Sequence, residues 1–99
     1  MKGKNKRYLR SLGNRLEPVV MIGQGGMTAS VIRKIDDELN RHELIKIRFV
    51  AFKDQKDHLV EQITQKTGSE SAGSTGHTVL LYRRHPDKDG RKISLPVPE

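Results

Sequence analysis

The chain predicts an α/β (α+β) fold, a two-layer sandwich. A mixed four-stranded sheet carries helices on one face, and a further helix stands at the N-terminus. Three observations predict it. Apolar runs of strand length alternate with amphipathic stretches of helical period. The first two strand runs are separated by one helix, which makes them parallel neighbours through a right-handed crossover. The last two strand-like stretches meet across Gly76-His77, as a hairpin would. The 99 residues make one domain, 1–99, with no internal repeat. A chain of that size can bury roughly two-thirds of its surface in a single core.

Each element follows from its residues. Lys4 to Leu16 reads as a first helix, with Tyr8, Leu9, Leu12 and Leu16 on one stripe and Lys6, Arg7 and Arg10 mainly off it. Gly13 and Asn14 suit its end, within a basic segment that spans 1–17. Val19 to Ile22 is a buried strand bounded by Pro18 and Gly23. Thr28 stands as N-cap of a second helix that carries Val31, Ile32, Ile35 and Leu39, and Arg41 and His42 sit at its end. Leu44 to Val50 is the clearest strand. Ile45, Ile47 and Phe49 alternate there with Lys46 and Arg48, so the two cations are expected on an exposed sheet face. Asp54 is the expected cap of a third helix, with Leu59, Val60 and Ile63 inward and Gly68 at its end. Ser69 to Thr75 is strand by position only, whereas Thr78 to Arg84 is strand by content. Residues 86–99 read as a polar loop and a short tail.

The net charge is +7, unevenly spread. Lys2, Lys4, Lys6, Arg7, Arg10 and Arg15 all precede the first acid, Glu17. A basic segment on a balanced body points to a polyanionic partner. The chain has no cysteine, which excludes disulfides, thiolate zinc sites and cysteine nucleophiles. No secretory segment follows the basic start, and the apolar runs are too short to span a membrane, so a cytoplasmic monomer is expected, with no membrane partner. His42, His58, His77 and His85 are scattered without ligand spacing, and no metal or other cofactor is expected.

The stretch with most chemical content is Gly23-Gln24-Gly25-Gly26, between the first strand and the Thr28-capped helix. Loop amides, the positive end of a helix dipole and the absence of Cβ atoms together suit a phosphate. Arg33 and Lys34 lie in the first turns of that helix, although Asp37 and Glu38, four residues on, could pair with them. The loop lacks the Gly-Lys-Ser/Thr of a Walker A motif and the third glycine of a dinucleotide fingerprint. Nothing composes an active site. The candidate contacts are therefore Gly23, Gln24, Gly25, Gly26 and Thr28, with Lys6, Arg7, Arg10, Arg33, Lys34, Lys46 and Arg48 as surrounding cations.

Several segments together resemble the YhbY-like proteins, the free-standing bacterial form of the CRM domain of chloroplast RNA splicing and ribosome maturation. They are Lys6-Arg7-Tyr8-Leu9-Arg10-Ser11-Leu12, Pro18-Val19-Val20-Met21-Ile22-Gly23, Gly26-Met27-Thr28, His42-Glu43-Leu44-Ile45-Lys46-Ile47, Leu81-Tyr82-Arg83 and Ile93-Ser94-Leu95-Pro96. The resemblance covers nearly the whole chain. It implies a fold similar to the C-terminal domain of translation initiation factor three. It also implies RNA binding through a Gly-x-x-Gly loop and nearby basic residues, with large-subunit ribosomal RNA in pre-ribosomal particles as the partner. One departure is Ala72-Gly73-Ser74-Thr75-Gly76, where the family usually has a more apolar strand. The rival readings are a general nucleic-acid module, an adaptor that meets a ribosomal protein through Lys46 and Arg48, and a small phosphate-ligand enzyme.

Overall fold

The computed structural model describes residues 1–99. The elements run α1 (Gly3–Gly13), β1 (Pro18–Ile22), α2 (Ala29–His42), β2 (Leu44–Phe49), α3 (Lys56–Thr67), β3 (Glu70–Thr75) and β4 (Thr78–Tyr82), with 3-10 turns at Lys53–Gln55 and Lys88–Gly90. The sheet order is β1-β2-β4-β3, in which β1 and β2 are parallel and the other pairs antiparallel. Pro18 opens an edge strand, where a missing N–H costs the ladder least. No helix is long and apolar enough to cross a membrane.

Strand alternation splits the apolar residues between two faces. Val20, Ile22, Ile45, Ile47, Phe49, Val79 and Leu81 point to one side and meet Ile35 and Leu39 of α2 and Ile63 of α3. That is the expected sandwich. The opposite face is not bare, as Lys46 and Arg48 had suggested. Leu44, Ala72, Leu80 and Tyr82 meet Leu9 of α1 there, with Leu12, Leu16, Ile93 and Leu95 packed around them. α1 and the C-terminal tail thus cover part of the second face. The 86–99 segment is therefore part of the packed body as well as a polar connection. Asn5, buried in α1, ties the tail down: its Oδ1 accepts from Val97 N–H at 2.9 Å and its Nδ2 donates to Val97 O at 2.8 Å.

β3 forms in full despite its weak pattern, with a register shift between Ser71 and Gly73. Its small residues have a packing reason. A Cβ on Gly73 would come within 2.8 Å of the aliphatic stem of Arg10, and one on Gly13 within 2.4 Å of Leu80. The helix lies too close to the sheet for larger side chains.

The third helix starts later than the Asp54 cap predicts. Its N-cap is Gln55, with no side-chain capping bond, and Lys53–Gln55 forms a 3-10 turn ahead of it. Phe52 is left-handed, with φ 56° and ψ 35°, so the chain reverses before a helix at Asp54 can begin.

Candidate nucleic-acid interface

The glycine loop leaves the C-terminal end of β1. It closes with a turn in which Gly26 N–H donates to Gly23 O at 3.0 Å, and Thr28 N–H then donates to Gly26 O at 3.2 Å. Gly26 is the left-handed residue, with φ 71°; Gly23 and Gly25 need no such conformation. A Cβ on Gly25 would meet nothing within 4 Å, so that position faces open space. Thr28 Oγ1 accepts from Val31 N–H at 3.2 Å, as an N-cap should. Its role is to fix the helix start behind the loop. The amides of Gln24, Gly25 and Met27 take no partner within the chain. Three backbone donors and a helix N-terminus thus lie at one edge of the sheet, with no side chain above Gly25.

The cations fall into distinct groups. Arg33 and Lys34 are exposed on α2 and form no ion pair. Glu38 pairs instead with Arg41 at 3.6 Å and His42 at 3.4 Å, and Asp36 pairs with Arg83. The helix pairs that the spacing allowed for Arg33 and Lys34 do not form; both stay unpaired in the first turns of α2, and Arg33 lines a hollow with Met27. Arg7 and Arg10 are exposed on α1, and Lys6 is half-buried.

Lys46 and Arg48 share the second sheet face but not the same surroundings. Arg48 is exposed. Lys46 is half-buried and lines a hollow of about 470 Å³ with Leu12, Leu16, Val19 and Ile93. The register places Lys46 opposite Leu80, and Leu80 opposite Gly73, over which the Arg10 stem lies. Arg48 is two residues nearer the loop, opposite Met21. The two are therefore not one exposed pair. Lys46 belongs with α1, and Arg48 with the loop end.

Charge separates the layers too. α1 carries Lys4, Lys6, Arg7 and Arg10 and no acid. On α2, Arg33, Lys34 and Arg41 are matched by Asp36, Asp37 and Glu38; on α3, Lys56 and Lys66 are matched by Asp57 and Glu61. The excess positive charge of the helices therefore lies on the α1 face of the sheet.

Two charged residues that sequence reasoning left without a role hold the far end of the sheet. Glu43 follows α2 with φ 62° and is fully buried. Its Oε1 accepts from Lys92 N–H at 2.6 Å and Ile93 N–H at 2.9 Å, and its Oε2 from His85 N–H at 2.8 Å. Arg83 donates to Asp36 Oδ1, to Thr67 O at 2.7 Å, to Asp36 O at 3.0 Å and to Asn40 Oδ1 at 2.8 Å, locking the end of β4 to α2 and α3. Burial first, and the charge of Glu43 second, push the Tyr82 hydroxyl above its ordinary value. The signals in the sequence were the His42-Glu43-Leu44 and Leu81-Tyr82-Arg83 segments, which turn out to carry structural clamps.

Relatives of this chain share its length. A Haemophilus influenzae protein named "RNA-binding protein" is 37% identical over 94 residues, which is 94% of this chain and 92% of that protein. The Bacillus subtilis "Probable RNA-binding protein YqeI" is 32% identical over 95 residues, 95% of this chain and 97% of that one. A Staphylococcus aureus protein solved in solution superposes with a TM-score of 0.81 at 37% identity, covering 97% of this chain and 99% of the other. Residues 1–83 match the CRS1 / YhbY (CRM) domain, and the chain belongs to that family.

Proposed function

We propose that this protein binds ribosomal RNA in precursors of the large ribosomal subunit and assists their assembly, acting as a binding module without catalysis. The observation that carries the RNA contact is the glycine loop: three amides without partners, no side chain above Gly25, and unpaired Arg33 and Lys34 in the first turns of the helix that follows it. Such a loop lets a sugar–phosphate backbone approach closely and supplies donors for its anionic oxygens. Arg7, Arg10, Lys46 and Arg48 on the α1 face extend the contact to further phosphates, a sequence-independent attraction that salt weakens. The relatives named as RNA-binding proteins support the ligand class. The ribosomal target and the assembly step are the finer part of the proposal and follow from the CRM resemblance.

Crosslinking in cells, followed by sequencing of the attached RNA, tests both parts. Enrichment of large-subunit ribosomal RNA and co-sedimentation with immature large-subunit particles are the expected results. Crosslinks spread over messenger RNA, with no particle association, would leave RNA binding in place and remove the assembly role.

A further inference from the structure

Four large hydrophobic side chains are exposed, and three of them, Met21, Val50 and Phe52, lie at the loop end of the sheet. Val50 borders one end of the loop: a Cβ on Gly23 would sit 3.8 Å from its Cγ2. Phe52 borders the other, its ring 3.5 Å from where a Cβ on Gly26 would stand. Neither belongs to the packed clusters on the two sheet faces. Phe52 is the less expected of the two. Its left-handed backbone suits glycine or asparagine, and a bulky side chain there is disfavoured. A turn alone would be better served by a smaller residue, and Phe52, 37% exposed, is not part of the packed core. Arg48, exposed and opposite Met21, sets a cation on the same end of the sheet; Lys53 and Asp54, which follow Phe52, offset each other. An apolar protein partner would leave Arg48 and the free loop amides unmatched. A nucleotide matches all three, since it combines a flat apolar base with an anionic backbone.

We propose that Phe52 is a stacking platform for an unpaired nucleobase next to the backbone-binding loop, with Val50 at the loop's other end. The RNA at this end is then a single-stranded or bulged stretch, because a base inside a regular duplex has no free face to offer. This rests on the RNA-binding reading and specifies its ligand at that site.

The test uses a short mixed-sequence RNA strand, free and annealed to its complement, with the full chain. Phe52→Asn keeps a residue that tolerates left-handed geometry. It is expected to weaken binding of the free strand by about tenfold and of the duplex by less than about twofold, as loss of one stacked base implies. The chain has no tryptophan, so Phe52→Trp places a single indole at the platform. Its fluorescence should be quenched by the free strand and not by the duplex. Equal affinity of Phe52→Asn and wild type for the free strand, or saturation of Phe52→Trp without quenching, overturns the platform while leaving RNA binding intact. A wild-type protein that binds neither RNA overturns both readings.

Discussion

At the Tyr82 end of the sheet, the Glu43 side chain accepts from three backbone N–H groups and the Arg83 guanidinium reaches four acceptors. At the Ile22 end, three loop amides have no partner, and Met21, Val50 and Phe52 are exposed. Both ends contain a non-glycine residue with positive φ, Glu43 at one and Phe52 at the other. The strain at Glu43 is offset inside the chain by the bonds its side chain makes. At Phe52 no comparable bonds form. One end is closed on itself; the other leaves hydrogen-bonding capacity and apolar surface unused within the chain, which the proposed RNA fills. The contrast teaches where to expect a loss of stability and where a loss of binding.

The largest expected effect is at the closed end. Glu43→Ala leaves three N–H groups without their acceptor, each worth about 1–3 kcal/mol where water cannot replace it. A total loss of at least about 3 kcal/mol, about 15 °C or more in melting temperature for a domain of this size, should appear in thermal denaturation. RNA affinity of the folded fraction should stay close to wild type. A matching loss of affinity under conditions where the variant is fully folded would break the division between the two ends.

Next comes Arg83→Lys. One amine cannot reproduce the fork that reaches Asp36, Asn40 and Thr67, so chemical denaturation should show a loss of about 1–2 kcal/mol with binding unchanged. Neutralising Lys6, Arg7 and Arg10 to Gln sharpens the comparison from the basic face. The log–log salt slope of RNA binding should fall by roughly 2 if all three meet phosphates. Stability should fall by under about 1 kcal/mol, since the Arg10 stem covers Gly73. The smallest effect separates Arg48 from Lys46. Arg48→Ser should weaken RNA binding several-fold, a rough expectation for one phosphate contact near the loop. Lys46→Ser, set back under α1, should change it less. Equal losses would make the two one surface, and a loss only at Lys46 would shift the contact toward α1.

Much of the fold was legible because it follows from period. The Ile45, Ile47, Phe49 alternation placed β2 and its faces, and Thr28 marked the start of α2. β3 was hard to read because its partner is the stem of an arginine on α1, which asks for glycine and alanine rather than for β-branched residues. The start of α3 was displaced by a conformation at Phe52 that no propensity assigns to phenylalanine. The clamps made by Glu43 and Arg83 were not legible, because their partners lie far along the chain and spacing carries no trace of them. Within the candidate site, the loop and its cap were legible as a strand–glycine–helix pattern. What was not legible was which glycine is left-handed, and that Arg33 and Lys34 would lack the partners four residues on.

The open end is tested most directly by Gln24→Asp, which places a negative charge in the loop and leaves every glycine alone. Position 24 is exposed, so melting temperature should be almost unchanged. RNA affinity measured at low and moderate salt should fall markedly, most of all at low salt where repulsion is least screened. If Gln24→Asp binds as tightly as the parent at low salt, the loop is only a turn and the RNA lies elsewhere on the molecule.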